Sequence, residues 1–333
     1  MPDGPPVAAF ATRYRGQRVA LIVPCYNEEH TVASVVRAFA AAMPALRPWV
    51  FDNASTDGTA RAAREAGAEV VRVGLRGKGN VVRRMFADVD ADIYVMVDGD
   101  ATYDARSVRA MVDRLLDDRL DMVVGCRHTP QAEAGAAYRR GHRWGNRLLT
   151  QSVVRIFGGG FTDMLSGYRV FSRRYVKSFP AASHGFETET ELTVHALELR
   201  MPYGEVSTPY VARPEGSASK LSTYRDGWRI LRMIGKLYLS ERPLACFGIA
   251  AALLALLSVG LAAPVLLTYL ELGLVPRLPT ALLSAALMLA SMLALVCGLV
   301  LDNVTRGRQE VRRMAYLAIP ATCEAAETGS GPA

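Results

Sequence analysis

Two long stretches without a charged residue constrain this chain's architecture more than any other feature. From Pro243 to Leu270, and again from Leu278 to Leu301, there is no Asp, Glu, Lys or Arg. A helix of about 20 apolar residues crosses a bilayer core, so each stretch is long enough to span one. Buried core helices seldom need runs this long and this free of charge, and a two-helix transmembrane hairpin is predicted over 243–302.

The flanks predict its orientation. Arg225, Arg229, Arg232, Lys236 and Arg242 precede the first stretch, and Arg306, Arg308, Arg312 and Arg313 follow the second. The connector Glu271–Arg277 holds a single basic residue. Basic residues collect on cytoplasmic flanks, so both termini and the preceding domain are expected on the cytoplasmic side of a cell (inner) membrane. The net charge of +7 suits anionic headgroups. No nucleic-acid-binding motif accompanies it, so nucleic acid is not an expected partner. Within Ser222–Leu239, Arg225, Arg229, Arg232 and Lys236 recur at helical spacing beside Trp228, Ile230, Leu231 and Ile234, which predicts an amphipathic interfacial helix over 222–242. Residues 1–17 read as a flexible N-terminus without the apolar segment of a signal peptide, and 303–333 as a cytoplasmic tail. The five cysteines show no metal-type spacing, which fits a reduced compartment.

Before the hairpin, the domain 18–221 alternates strand and helix signals. Apolar runs at Arg18–Pro24, Trp49–Phe51, Glu69–Val73, Asp92–Val97 and Asp121–Gly125 read as strands. Helices are predicted at Thr31–Met43, Thr59–Ala66, Gly79–Val89 and Ser107–Leu116. The fold class is therefore α/β, a mostly parallel sheet flanked by helices. Its polar clusters fall just after strands, at the carboxyl edge where open α/β sheets bind ligands.

Asp98-Gly99-Asp100 is the first such cluster. Two carboxylates two residues apart at a strand end suit a hard divalent ion, Mg²⁺ or Mn²⁺, shared with phosphate oxygens. Ile22-Val-Pro-Cys-Tyr-Asn-Glu-Glu29 follows the first strand, Asp52-Asn-Ala-Ser-Thr-Asp-Gly-Thr59 the second, and Gly77-Lys-Gly-Asn80 the third. In the order and spacing of these motifs the chain resembles the family 2 glycosyltransferases of GT-A fold, in the branch of dolichol-phosphate mannose synthase and bacterial polyprenyl-phosphate glycosyltransferases. The likeness covers roughly 18–240, and a membrane hairpin after the domain also occurs in that branch.

The resemblance implies roles. Pro24, Tyr26 and Glu28 match residues around the nucleoside, Asp52 the residue that reads the base, and Lys78 a position near the nucleotide. Asp98, Gly99 and Asp100 match the metal and diphosphate site. Arg127 matches an arginine that meets the acceptor phosphate, and Arg143 and Arg147, one helical turn apart, join it as candidates. Arg213 and Lys220, in Arg213-Pro-Glu-Gly-Ser-Ala-Ser-Lys-Leu221, resemble a segment that folds over the diphosphate. Ser166-Gly-Tyr-Arg169 and Gly185-Phe-Glu-Thr-Glu-Thr-Glu191 resemble segments near sugar and acceptor, with Glu189 the chosen carboxylate. Its alternating acidic residues fit one face of a strand or the start of a helix equally. Plain structural roles compete throughout: Glu28 can favour a helix start, Asp52 can cap a turn, and the arginines can form a solvated face.

The implied reaction transfers sugar from a nucleotide-sugar, a UDP-hexose in preference to GDP-mannose, to a polyprenyl phosphate with inversion. A homo-oligomer and a flippase are further candidate partners. Absence of Gln-x-x-Arg-Trp argues against processive polysaccharide synthesis, and Asn53 stands where related loops often carry a second Asp. The alternatives are transfer to a hydroxyl of another lipid or lipid-linked saccharide, and a non-catalytic membrane organiser.

Overall fold

The apolar run near the start of the domain forms β1 (Val19–Cys25), with Val19–Val23 and Cys25 buried. It pairs in parallel with β2 (Leu46–Asp52) on one side and β4 (Ile93–Met96) on the other. A strand covered on both faces has no reason to alternate, which accounts for its continuous apolar run. β3 (Glu69–Arg72) extends the sheet beyond β2 in parallel. β5 (Met122–His128), β6 (Arg169–Ser172) and β7 (Tyr203–Pro209) complete the seven-stranded order β3-β2-β1-β4-β6-β5-β7. β6 runs antiparallel to both β4 and β5, and β7 runs parallel to β5. The sheet is thus mostly parallel, as expected, and six strands share one carboxyl edge.

The structure is a computed structural model that describes residues 12–128, 151, 153–155, 157–181, 188–210, 232, 235–236 and 238–321. Two compact units are present, Met1–Asp226 with Arg312–Ala333, and Gly227–Val311.

In the first unit the helices are α1 (Val32–Ala42), α2 (Thr59–Glu65), α3 (Lys78–Asp88), α4 (Val108–Asp117), α5 (Arg173–Ser178) and α6 (Thr188–Glu198). α1 buries Val32, Val35, Val36 and Phe39, one stripe at helical spacing, in the core shared with β1. Burying each such side chain contributes about 1.5–3 kcal/mol. Pro24 has a local explanation. The β1–β4 register ends at Ile22 opposite Met96, so the missing proline N–H falls where β1 and β4 have already parted. The sheet is built outward from β1 in both directions, to β2 and β3 on one side and to β4 on the other, and the crevice of an open α/β sheet forms at that reversal.

The second unit holds the paired helices, α7 (Pro243–Leu272) and most of α8 (Leu278–Leu317), each long and apolar enough to cross a membrane. Large apolar side chains cover their exterior, Leu256, Leu270 and Leu293 among them. Their contact seam is small and partly polar. Ala251, Ser258 and Val265 are buried on α7, and Ser284, Ser291, Gly298 and Thr305 on α8, each set spaced by seven. Ser258 Oγ donates to the Ser284 carbonyl at 2.7 Å and Ser291 Oγ to the Ala251 carbonyl at 2.8 Å. A Cβ at Gly298 would lie 2.9 Å from Phe247 Cβ, so this crossing requires glycine.

One sequence expectation is extended here, and another falls mostly outside the described residues. The second apolar helix does not stop at 302 but continues to Leu317, so the expected 303–333 tail begins as helix. An Asp302–Arg306 pair at 2.9 Å supports the added turns. From Arg312 onward the helix belongs to the first unit, where Arg312 meets Glu198 at 2.6 Å and Tyr316 donates to Asp121 at 2.7 Å. The predicted interfacial helix over 222–242 falls largely outside the described residues, although 238–241 are helical.

Candidate active site

The loops after β1 and β2 are stitched together by their own motif residues. Asn27 Oδ1 accepts the Thr56 N–H at 2.9 Å, and Glu29 Oε2 accepts the Gly58 N–H at 2.9 Å. Much of both motifs therefore builds the edge on which other side chains stand. Asp52, buried at the end of β2, accepts the Ser55 N–H at 3.1 Å and so also shapes its own turn. Glu28 Oε2 meets the Thr31 hydroxyl at 3.1 Å, and the Glu28 carbonyl accepts from Thr31 and Val32 at the start of α1. The Tyr26 ring carries the Arg76 guanidinium 5.5 Å from its centroid.

Asp98-Gly99-Asp100 follows β4 and is fixed on three sides. Thr31 Oγ1 donates to the Gly99 carbonyl at 2.7 Å, and a Cβ at Gly99 would sit 2.5 Å from Cys25 Sγ, so only glycine fits against the end of β1. Asp100 is buried and accepts the Thr102 hydroxyl at 2.6 Å. The thiol of Cys25 shows how the acidic groups converge. Burial pushes its pKa up, and the Glu28, Asp98, Asp52 and Asp100 carboxylates push it further.

Lys78, the first residue of α3, answers this negative charge. Its Nζ lies 2.6 Å from Asp98 Oδ1 and 2.5 Å from Glu189 Oε1. Burial alone would lower the lysine pKa, but the two carboxylates outweigh it and hold the pKa above its ordinary value. Glu189 stands in the first turn of α6, which settles the strand-or-helix question for its segment as far as Thr188. A Cβ at Gly167 would lie 2.3 Å from Asp98 Oδ2, so a glycine leaves room beside the second carboxylate oxygen.

These residues fit a divalent cation. Asp98 and Asp100 are hard oxygen donors two residues apart, and the missing side chain of Gly167 lets the Asp98 carboxylate lie against the backbone there. Among the described residues no three His, Cys, Asp or Glu side chains group as a metal site. An ion there would complete its shell with water and substrate oxygens.

Arg127, at the end of β5, does not stand open to a ligand. Its Nε and a terminal nitrogen reach the two carboxylate oxygens of Asp163 at 2.6 and 2.8 Å, and its guanidinium lies 5.6 Å from the Tyr210 ring centroid. Arg143, Arg147, Arg213 and Lys220 lie outside the described residues. The structure brings Glu28, Asp52, Asp98 and Asp100 around Cys25 and joins Asp98 to Glu189 through Lys78, with Pro24 and Tyr26 at and just after the end of β1, Gly99 between the two Asp residues, and Arg127 on the same sheet edge beside Asp163.

Residues 20–179, from β1 to just past α5, match the glycosyl transferase family 2 domain. Glycosyltransferase AglJ of Haloferax volcanii is 36% identical over 236 residues, 69% of this chain and 75% of AglJ. The chain belongs to glycosyl transferase family 2. An uncharacterised protein of Shigella flexneri is 60% identical to the transferase over 154 residues, 46% of this chain and 94% of that protein. The dolichyl-phosphate hexose transferase of Haloferax volcanii is 27% identical over 231 residues, 69% of this chain and 98% of its own. The crystal structure of glucosyl-3-phosphoglycerate synthase from Mycobacterium tuberculosis, with Mn²⁺ and UDP-glucose, shares the fold. It superposes with a TM-score of 0.55 at 24% identity, over 67% of this chain and 78% of the synthase.

Two residues of the transferase's site region escaped the sequence reading as individuals. Asp163 carries no motif, and its pairing with Arg127 spans 36 positions. Arg169 ends the Ser166-Gly-Tyr-Arg169 segment and is fully buried, and among the described residues no carboxylate pairs with it. Instead it donates to the Ser166, Met164 and Glu189 carbonyls at 3.0, 2.5 and 3.2 Å and to Thr193 Oγ1 at 3.0 Å. It joins the loop carrying Asp163 and Gly167 to the helix start carrying Glu189. Its type and its neighbours Ser166 and Gly167 were the available signal.

Proposed function

We propose that the transferase moves a hexose from a UDP-sugar to a polyprenyl phosphate at the cytoplasmic face of a membrane, inverting the anomeric carbon. The observation that carries this reading is the Asp98–Lys78–Glu189 assembly beside Asp100 and Asp52, on a chain that continues into two bilayer-length helices. Likeness to a dolichyl-phosphate hexose transferase over 98% of that protein supports the lipid-phosphate acceptor. The basic flanks of the helices support cytoplasmic placement of the domain and both termini. The domain limits follow the same reading, with 18–221 catalytic, 222–242 interfacial and 243–302 the membrane hairpin.

In this mechanism Asp52 accepts from a base ring N–H, and Pro24, Tyr26 and Glu28 line the nucleoside. Asp98 and Asp100 would hold Mg²⁺ or Mn²⁺, which would supply positive charge against the diphosphate. Lys78 keeps Asp98 oriented and adds positive charge beside it, and Arg213 and Lys220 neutralise the leaving group. Arg127, Arg143 and Arg147 take the acceptor phosphate, the first by exchanging Asp163 for phosphate oxygens. A phosphate monoester has a second pKa of about 6, so the nucleophile is already ionised. Its oxygen bonds to the anomeric carbon as the bond to the nucleoside diphosphate breaks, and the electron pair leaves with the diphosphate. No proton moves, and no base is needed. The Glu189 carboxylate is instead engaged by Lys78 at 2.5 Å.

The test incubates the purified full chain in detergent with undecaprenyl phosphate, Mg²⁺ or Mn²⁺, and a panel of UDP- and GDP-sugars. Mass spectrometry should find lipid-phosphate hexose that disappears in Asp100→Asn. Sugar appearing on a hydroxyl acceptor instead, or no transfer to lipid phosphate from any donor, would overturn the proposal.

A further inference from the structure

Asn53 follows the base-side candidate Asp52, in a loop whose relatives often carry Asp at this position. It is buried, and both ends of its carboxamide are in use. Oδ1 accepts the Gly77 N–H at 2.8 Å. Nδ2 donates to the Leu75 carbonyl at 2.7 Å and faces the Val73 carbonyl at 3.4 Å. Its backbone N–H donates to the Cys25 carbonyl at 2.8 Å. One residue therefore joins the ends of β1 and β2 to the loop that leads from β3 into α3.

This loop delivers the site's lysine. Gly77 caps α3 with φ 121° and ψ 134°, a conformation that side-chain-bearing residues rarely adopt, and the next residue is Lys78. Gly77 leaves its N–H to Asn53, and the helix then starts with Lys78 reaching Asp98 and Glu189. A carboxylate in place of this amide would still accept from Gly77, but it has no hydrogen to donate. It would set an anionic oxygen against the Leu75 and Val73 carbonyls.

We propose that Asn53 is a positioning residue, whose amide fixes the 73–77 loop so that Lys78 and the base-reading end of β2 keep one spacing for the nucleotide donor. The proposal rests on reading Asp52, Lys78 and Asp98 as donor-site residues. It adds that the chain needs an amide here, not a carboxylate, because the loop presents one donor and two acceptors.

The test compares Asn53→Asp, Asn53→Ala and the milder Asn53→Ser as full chains in detergent. Hydrogen exchange of backbone amides 73–78 without ligand reads the loop directly, whatever the reaction is. UDP titration calorimetry and separate donor and acceptor kinetics read the consequence. Asn53→Asp should speed exchange across 73–78 and weaken UDP about tenfold, the effect of leaving a buried acceptor unserved. Donor KM should rise while acceptor KM stays unchanged, and Asn53→Ser should fall between. Unchanged exchange in Asn53→Asp would overturn the proposal, as would donor and acceptor parameters worsening in parallel with melting temperature. If the parent transfers no sugar to lipid phosphate, the functional reading fails while the exchange result still decides the role of Asn53.

Discussion

Replacing Lys78 by Met removes the one described cation that touches both Asp98 and Glu189 and keeps most of the lysine's bulk. Each contact is a charge-assisted hydrogen bond, worth about 1.5–3 kcal/mol. Removing one partner from a buried ion pair costs about 3–5 kcal/mol, because the remaining charge is left uncompensated. Here Glu189 is 9% exposed but Asp98 is 29% exposed and keeps some solvent, which places the loss near the lower end. About 3 kcal/mol lowers the melting temperature of a domain this size by roughly 6–12 °C. The assay is thermal unfolding of the ligand-free protein at pH 7 beside a Lys78→Met/Glu189→Gln double variant. Removing the Glu189 charge should recover part of the loss, a coupling of about 1–2 kcal/mol. Turnover should fall about 10²–10³-fold, since Asp98 loses the group that orients it. A Lys78→Met protein that melts within a degree of the parent would refute the bridge and the electrostatic reasoning built on it.

Other consequences are open to direct measurement. Burial, and then the nearby Arg312, push the pKa of His195 down to about 3. The folded state therefore excludes a proton that the unfolded chain takes up below about 6.5, and stability falls with pH by about 1.4 kcal/mol per unit through that window. Denaturation at pH 7.5 and 5.5 should show about this loss in the parent and not in His195→Gln. Asp163→Ala leaves Arg127 without its bidentate partner and should cost about 2–3 kcal/mol in chemical denaturation, whereas Asp163→Glu should restore part of it. Arg169→Met abandons the carbonyls of Met164, Ser166 and Glu189, and its unfolding free energy should drop by about 3 kcal/mol in chemical denaturation, with Arg169→Lys only partly better. Gly298→Leu pushes a side chain into Phe247, and crosslinking between cysteines placed across the α7–α8 seam should fall relative to the parent.

Legibility in the sequence tracks locality. β1, β4 and the start of β5 announce themselves as short apolar runs because their burial is nearly continuous, and Asp98 and Asp100 stand out because they follow one of them. β6 and β7 do not. β6 is four residues long, and β7 mixes buried and exposed positions without strict alternation. The far end of α8 was missed for a related reason. Its last turns are charged and owe their place to Glu198 and Asp121, partners more than a hundred positions away. The catalytic candidates were visible as types at loop positions, but their engagement was not. Lys78 contacts Glu189 across 111 positions, and Arg127 turns toward Asp163. Asn53 looked like the loss of a charge, and the fold shows an amide doing two jobs a carboxylate cannot share.

The hairpin seam carries an implication for how this chain tolerates change. The Ser258 and Ser291 hydroxyls donate to main-chain carbonyls of the opposite helix, so the acceptors persist when Ala251 or Ser284 is exchanged for another small residue. Composition on the outer faces is then nearly unconstrained, whereas phase is not. A single inserted residue between Ser284 and Thr305 turns everything beyond it by about 100° and carries the remaining small residues out of the seam. Length variation in this hairpin is therefore expected in whole heptads, or confined to the connector 273–277, while the apolar lettering between the fixed points drifts freely.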